Sequence, residues 1–316
     1  MTPKALFVML ILWLSFTTIQ ARSTEDVPDK GTYAKFLLVG CYMKPDEEGV
    51  RMYRFDGQTA DVDYPCGLRG ISNPAFLTSD STGNRIYAIG DDEGKSSTAN
   101  ALLFDKESGL LSLLNSQSTD GELPIYITLS PKEYFVLTAN YKGGSITVFS
   151  QDKKGKLQRD TKIIRFAGNG PNKKRQEQSH LHCVTFTPDG KFLLATDLGT
   201  DCIYLFPIGK RPEAGKAHSL LDESRVVRIQ MDSGSGPRHI CFHPNGRFAY
   251  LISELSGKIT VFSYNEGKLE RLQTIVCDPF VAEGNADIHV SSDGKFLYAS
   301  KHLKEDGIIV YSIDSQ

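Results

Sequence analysis

A repeated hairpin pattern constrains the fold of this chain more than any other feature. In five places an extended apolar segment leads into a tight polar turn and a second β-rich run; these segments begin at Pro74, Pro124, His182, His239 and Asp287. Turn pairs such as Asp189-Gly190 and Asn245-Gly246 tolerate the positive φ that tight hairpins need. The turns recur 57, 56 and 48 residues apart, at Pro131, Pro188, Pro244 and Ser292. Periods near 50 residues with about four strands each are typical of β-propeller blades.

Further strands follow the hairpins, and helical periodicity is missing. Residues 145–149 and 258–262 are examples of such a third strand. The lack of a sustained helical period argues against a parallel α/β sheet. We therefore predict an all-β chain whose residues 35–316 form a β-propeller of four-stranded blades. Residues 36–64 match only the second and third strands of a unit, so the chain would hold about six blades, the first of them open.

The N-terminal segment differs from the rest of the chain. A short positive start is followed by an almost continuously apolar run over residues 5–16 and by smaller residues up to Ala21. This layout is typical of a secretory signal peptide, and the apolar run is short for a membrane span. We predict a signal peptide over residues 1–21, a linker over residues 22–34 and an exported protein, periplasmic or secreted. A retained N-terminal anchor is the alternative.

The charge balance and the cysteines narrow the possible partners. The chain has 36 Lys+Arg against 38 Asp+Glu, a net charge of −2. This balance argues against a protein that binds nucleic acid or coats an anionic membrane. The densest basic cluster, residues 173–175 (Lys-Lys-Arg), lies in a polar stretch and is interpreted as a solvated loop. The six cysteines include no Cys-x-x-Cys pair, so we expect buried free thiols rather than a zinc or redox motif.

Several short strings, taken together, resemble one known family. They are Gly236-Pro237-Arg238-His239, His243-Pro244-Asn245-Gly246, Glu254-Leu255, Ser179-His180-Leu181-His182, Asp197-Leu198-Gly199-Thr200-Asp201, Ala139-Asn140-Tyr141 and Ala286-Asp287-Ile288-His289. From about residue 36 to residue 314 the sequence resembles the seven-bladed β-propeller lactonases, which include propeller-type 6-phosphogluconolactonases and carboxymuconate-lactonizing enzymes. Ser253 stands where that family usually has asparagine, and the family's last repeat with its Pro-Arg pair is absent. We therefore expect a ring lacking its last blade and prone to association through open sheet edges.

The resemblance implies a lactone hydrolase that needs no cofactor and acts on a sugar-derived or other anionic lactone. It implies that Arg238 binds the anionic substrate or steadies the oxyanion, that Glu254 acts as acid and base, and that His182 is the channel histidine. Further candidates for substrate binding are His180, Asn140 and His289. The alternative function is a secreted propeller that binds a protein or glycan without chemistry, since a fold does not fix a function.

The chemistry of the Arg238 and Glu254 side chains suits such a reaction. Lactone opening needs an activated water, a positive group for the oxyanion and a proton donor for the leaving alkoxide. The two residues are 16 positions apart on adjacent predicted strands. A guanidinium also matches the planar geometry of a carboxylate or phosphate. An Arg–Glu pair can equally be structural, and the residue types alone leave that alternative open.

The histidines allow a second interpretation of the site. His180 and His182 alternate along a predicted strand, so both rings could face one side. A His-x-His pair can bind zinc, but the sequence suggests no third ligand, and no metal site is predicted. Three more histidines lie beside turns, and two of them are expected to hydrogen-bond the backbone between blades: His239, His243 and His289.

Overall fold

Twenty-two β-strands and two single-turn 3-10 helices make up the part of the chain that the computed structural model describes, residues 34–210, 212–277, 284–302 and 306–314. The strands are β1 (Ala34–Gly40), β2 (Val50–Asp56), β3 (Val62–Leu68), β4 (Leu77–Ser79), β5 (Arg85–Asp91), β6 (Ser97–Asp105), β7 (Leu110–Ser118), β8 (Pro124–Leu129), β9 (Phe135–Asn140), β10 (Ser145–Gln151), β11 (Leu157–Arg165), β12 (Leu181–Phe186), β13 (Phe192–Asp197), β14 (Cys202–Pro207), β15 (Val227–Gln230), β16 (Pro237–Phe242), β17 (Phe248–Ser253), β18 (Lys258–Asn265), β19 (Lys268–Val276), β20 (Asn285–Val290), β21 (Phe296–Lys301) and β22 (Gly307–Ser312). The helices cover Ala217–Ser219 and Glu223–Arg225. The predicted all-β class is confirmed. The predicted signal peptide, and the predicted linker up to residue 33, lie outside the described residues.

The strands form six antiparallel sheets in which neighbours in sequence are neighbours in the sheet. Four sheets have four strands each: β4–β7, β8–β11, β12–β15 and β16–β19. Within the described residues, β1–β3 and β20–β22 each form a three-stranded sheet. The predicted four-stranded unit is therefore confirmed, and the first unit has three strands in the part of the chain that the structure describes.

A hydroxyl group fixes the turn between the first two strands of three sheets. Ser130, Thr187 and Ser291 precede these turns. Each side-chain oxygen accepts a hydrogen bond from the backbone N–H of the phenylalanine that begins β9, β13 or β21, at 3.1, 3.1 and 2.9 Å. Such local side-chain bonds stabilise tight turns at the expense of other backbone conformations. The geometry repeats because the turn sequence repeats, and it sets the register of the strands that follow.

The chain divides into two compact units, Met1–Ser118 with Lys153–Leu157 and Thr119–Asp152 with Gln158–Gln316. The first has a core that includes the fully buried side chains of Val50, Ile86 and Leu102. In the second, the first strands of successive sheets lie side by side, because β12 contacts β8 and β16, and β16 contacts β20. Buried apolar side chains fill the space between these sheets. All six predicted site residues lie in the second unit.

Two further features bear on the sequence predictions. Over the described ranges, no helix combines the length and the apolar character required to cross a bilayer. The six cysteines all lie within those ranges, and none of them forms a disulfide there.

Candidate active site

β-Bulges near the start of two strands direct two of the candidate side chains. The pairing of β12 with β13 shifts register between Leu181 and Cys183, and the pairing of β16 with β17 shifts between Pro237 and His239. The residues at these shifts are His182 and Arg238. A bulge re-aims a side chain out of the regular alternation of a strand. The bulges therefore give a local reason why both side chains turn towards one carboxylate, that of the residue directly after β17.

That carboxylate belongs to Glu254, and it is paired with Arg238. Arg238 Nε donates to Glu254 Oε2 at 3.0 Å, and the two side chains are 10% and 6% exposed. Arg238 Nη1 also donates to the carbonyl oxygen of Ala286 at 2.5 Å. These contacts hold the guanidinium in one orientation against the start of β20. The structure thus brings together the two residues that the sequence placed on adjacent strands; their catalytic roles stay predictions.

A second arginine binds the same carboxylate, and here the interpretation of residues 173–175 as a solvated loop needs correction. Lys173 and Lys174 are exposed, but Arg175 is only partly so. Its Nη2 donates to Glu254 Oε1 at 2.5 Å and lies 3.4 Å from the hydroxyl of Tyr141. A basic run is usually solvated because no opposite charge lies within the protein to bind it. In this protein the buried carboxylate of Glu254 provides that charge for Arg175.

The two arginines determine the ionisation of Glu254. Burial alone would raise the pKa of this carboxyl group, but the positive charges of Arg238 and Arg175 outweigh burial and hold the pKa below its ordinary value. The carboxylate is therefore ionised at neutral pH. It can accept a proton but has none to donate until it has taken one.

His182 lies beside this carboxylate as a neutral ring. Its Nε2 is 3.7 Å from Glu254 Oε2, and its ring packs edge-on against Tyr141 and His239. Burial, followed by the charge of Arg238, lowers the pKa of His182 well below its ordinary value. Its Nδ1 is buried and has no hydrogen-bond partner among the described residues. A buried polar atom without a partner is costly, and an ordered water is the partner that would satisfy this nitrogen.

Arg238 is supported on its other side by His239 and Asp287. His239 Nδ1 lies 2.7 Å from Asp287 Oδ1, and its Nε2 lies 3.4 Å from Arg238 Nη1. Burial lowers the pKa of His239. Burial would raise the pKa of Asp287, but His239 and His289 together hold it well below its ordinary value. These partners assign the Nδ1–H tautomer to His239, which then donates to Asp287 and accepts from Arg238.

His289 occupies the other oxygen of Asp287, at 3.0 Å from Oδ2, and its side chain is 40% exposed. Burial would lower the pKa of this histidine, but the charge of Asp287 outweighs it and the pKa is raised. His289 thus contacts the site through Asp287 and His239. Direct substrate binding by His289 stays a prediction. The expected backbone bond of a turn histidine is made by His243, whose Nε2 is 3.0 Å from the carbonyl oxygen of Gly294.

His180 and Asn140 lie behind these groups and brace them. His180 Nδ1 is 3.0 Å from the backbone oxygen of Tyr141, and its ring stacks on the Tyr141 ring at 4.3 Å between centroids. Asn140 is fully buried, and its amide donates to the hydroxyls of Ser145 and Thr147. Both residues therefore hold the segment that carries Tyr141, which in turn contacts Arg175. Their contact with substrate stays a prediction.

The described ranges contain no group of three or more His, Cys, Asp or Glu side chains placed to hold a metal ion. The arrangement around Glu254 is instead one of ionised and neutral groups: a carboxylate, two guanidinium groups and the ring of His182. Such a set can activate water and stabilise a developing negative charge.

Comparison with known proteins identifies the family of this chain. The sequence model of one family, described as "Lactonase, 7-bladed beta-propeller", matches residues 36–316. The chain belongs to this family. The resemblance predicted from the sequence is confirmed. The described residues provide six sheets, where the family's description specifies seven blades.

One relative in sequence and two solved structures show what this chain is similar to. A Bacillus subtilis protein named 6-phosphogluconolactonase is 33% identical over 284 residues, 87% of this chain and 77% of that protein. A solved structure from Bacteroides fragilis, described as a candidate 6-phosphogluconolactonase, is 39% identical with a TM-score of 0.84, covering 91% of this chain and 80% of that one. The structure of a periplasmic gluconolactonase from Pseudomonas aeruginosa is 29% identical with a TM-score of 0.78, covering 89% and 79%.

Proposed function

We propose that this protein hydrolyses a sugar-derived or other anionic lactone, with Glu254, Arg238 and His182 as the catalytic residues. The observation that carries the proposal is the ionised, buried carboxylate of Glu254, held by Arg238 at 3.0 Å with the neutral ring of His182 3.7 Å away. The names of the lactonase relatives support the same reaction class.

The reaction follows from the protonation states of these groups. Glu254, being ionised, takes a proton from a water molecule that Nε2 of His182, 3.7 Å from the carboxylate, helps to hold. The hydroxide attacks the lactone carbonyl, and the negative charge that develops on the carbonyl oxygen is stabilised by the guanidinium of Arg238. As the ring C–O bond breaks, Glu254 returns its proton to the leaving alkoxide. The products are a hydroxyl group and a carboxylic acid, which then ionises. No cofactor takes part in this scheme.

The experiment is a kinetic survey of lactones with matched variants. We expect Glu254→Gln and Arg238→Ala each to lower kcat/KM for the best lactone by about 100-fold or more, the usual effect of losing one acid–base or electrostatic group. Glu270→Gln and Arg247→Ala are the controls, because both residues are exposed and belong to the β16–β19 sheet and its turns.

The outcome that contradicts the proposal is equally definite. If the folded wild-type protein hydrolyses no lactone faster than either variant, the proposed reaction is wrong, and the alternative, a propeller that binds a protein or glycan without chemistry, is favoured.

We also propose that the protein is exported. The positive start, the apolar run over residues 5–16 and Ala21 support a signal peptide, and one structural neighbour is described as periplasmic. The N-terminus of the protein isolated from its native cell should then lie within a few residues of Arg22. Mass spectrometry that finds Met1 intact would contradict export by cleavage.

A further inference from the structure

The loop that carries Arg175 is anchored to the interior of the second unit. Gln176 is fully buried, and its side-chain amide donates to the backbone oxygen of Leu198 and to Asp201 Oδ1, both at 2.8 Å. Its backbone N–H donates to the oxygen of Asn172 at 2.7 Å, and its own oxygen accepts from Gly170. A loop with so many buried backbone and side-chain bonds has a defined conformation. The backbone of Arg175 therefore has a defined position and does not belong to a flexible, solvated basic loop.

The two arginines at Glu254 differ in how much of each guanidinium is already bound. Arg238 is 10% exposed and uses Nε and Nη1 for Glu254, Ala286 and His239. Arg175 is 38% exposed, and its contacts with the rest of the described chain involve Nη2 alone. Its Nε and Nη1 donors are thus available to a group arriving from solvent. The planar arrangement of these donors suits a carboxylate or phosphate.

The charge at this point also favours an anion. Glu254 carries one negative charge against the two positive charges of Arg175 and Arg238. His182 adds none at neutral pH, because burial and Arg238 lower its pKa. Asp287 is separated from this group by His239 and has His289 as its second partner. Among the groups in contact with Glu254, one positive charge is therefore unbalanced, and the donors of Arg175 are its accessible part. The exposed carboxylate of Glu177, which interacts electrostatically with Arg175, opposes this charge from the solvent side.

We propose that Arg175 is a specificity-determining residue, which binds an oxyanion substituent of the lactone, such as a phosphate monoester, while Arg238 stabilises the oxyanion formed in the reaction. This inference rests on the proposed function and divides between two arginines the roles that sequence reasoning gave to Arg238 alone. An anion on Nε and Nη1 of Arg175 shares the positive charge of a guanidinium whose Nη2 stays on Glu254. The added negative charge offsets part of the attraction that lowers the pKa of Glu254 and so makes its carboxylate a better proton acceptor.

The kinetic test compares two lactones that differ only in a phosphate group, 6-phosphoglucono-δ-lactone and glucono-δ-lactone. We expect Arg175→Gln to lower kcat/KM for the phosphorylated lactone by roughly 10- to 100-fold, the range for a hydrogen bond to a charged group. The value for the neutral lactone will also respond, because Arg175 is paired with the catalytic carboxylate of Glu254. The measure of specificity is therefore the ratio of kcat/KM for the phosphorylated lactone to that for the neutral one, which should fall by about tenfold or more. Lys174→Gln, the exposed neighbour on the same loop, is the control and should change neither value. Arg175→Lys should keep part of the preference.

A binding measurement separates this inference from the lactonase proposal. Calorimetry with 6-phosphogluconate and gluconate measures the preference for the phosphate group without any turnover. Tighter binding of 6-phosphogluconate by the wild type, lost in Arg175→Gln and kept in Lys174→Gln, supports the inference even if neither lactone is hydrolysed. Equal losses for both lactones, an unchanged preference in Arg175→Gln, or no preference in the wild type would each overturn it, whatever the fate of the lactonase proposal.

Discussion

Replacing Glu254 by glutamine should destabilise the second unit, because it leaves the charge of a buried arginine uncompensated. Arg238 is 10% exposed and 3.0 Å from the carboxylate. Removing one member of a buried ion pair costs about 3–5 kcal/mol. The glutamine oxygen can still accept from Arg238 Nε, which favours the lower end, about 3 kcal/mol. The pair with Arg175 adds little, because that side chain is more than one-third exposed and its charge is screened by solvent.

A double-mutant cycle with Arg238→Gln measures the coupling directly. In the double variant no buried charge is unpaired, since only the partly exposed Arg175 loses its partner, so its loss should fall short of the sum of the single losses by about 2 kcal/mol. The only tryptophan of the chain is Trp13, in the predicted signal peptide. Unfolding is therefore best followed by far-ultraviolet circular dichroism. Glu270→Gln, which removes an exposed carboxylate from β19, should change the stability by less than about 0.5 kcal/mol.

Acid provides an independent check of the same reasoning. The folded-state pKa of Glu254 lies below the ordinary value of 4.5. A carboxyl group with a lowered pKa stabilises the folded state above its unfolded pKa, and this contribution is lost as the pH falls through the folded pKa. The stability difference between wild type and Glu254→Gln should be complete at pH 7 and shrink below about pH 4.5. Equal stabilities at pH 7, or a difference that does not depend on acid, would refute an ionised, buried Glu254.

Two further substitutions test the supports of Arg238. Asp287→Asn should lower kcat about tenfold or more with little change in KM, because an asparagine amide can reverse the tautomer of His239 and displace the guanidinium of Arg238. The control is Asp293→Asn, at an exposed position. A change in KM alone would argue against a positioning role for Asp287. Gly236→Ala should destabilise the protein by about 1–3 kcal/mol more than Gly215→Ala. Both glycines have positive φ, but only at Gly236 would the added Cβ lie 2.5 Å from Leu255, whereas nothing lies within 4 Å of the one at Gly215; equal effects of the two substitutions would show that backbone strain alone matters.

The sheets could be predicted from the sequence because their cause is local. The hydroxyl that precedes three of the turns, and the Asp-Gly or Asn-Gly pair that lies within three of them, act over four or five residues, and such signals are visible in a sequence. The adjacency of Arg238 and Glu254 followed from the same repeat, since β16 and β17 form one hairpin. The hairpins and the residues that they bring together could therefore be predicted, because the same hairpin pattern repeats along the sequence.

Arg175 could not be predicted, because its partner is 79 residues away and its loop belongs to no repeated unit. A basic run has the same composition whether it is solvated or directed at a buried carboxylate. The one local signal was Gln176, an amide next to three basic residues, and its burial depends on Asp201 and Leu198 from a different segment. The role of Asp287 was similarly hidden, since three histidines beside turns suggested backbone bonds and only the structure shows that two of them share this carboxylate.

Asp201 forms hydrogen bonds with both segments that carry the arginines of the site. Its Oδ1 accepts from the Gln176 side chain and from the backbone N–H of Gly236, both at 2.8 Å, and its Oδ2 accepts from Gly234 at 2.7 Å. One buried carboxylate is thus tied to the residue after Arg175 and to the turn two residues before Arg238. Because both segments are bound to the same carboxylate, neither can move without affecting the other. The distance between the two guanidinium groups is therefore constrained. A substitution at position 175 can then change which lactone substituent the site prefers without changing where the lactone carbonyl must lie. The site is therefore suited to change its substrate while keeping its reaction.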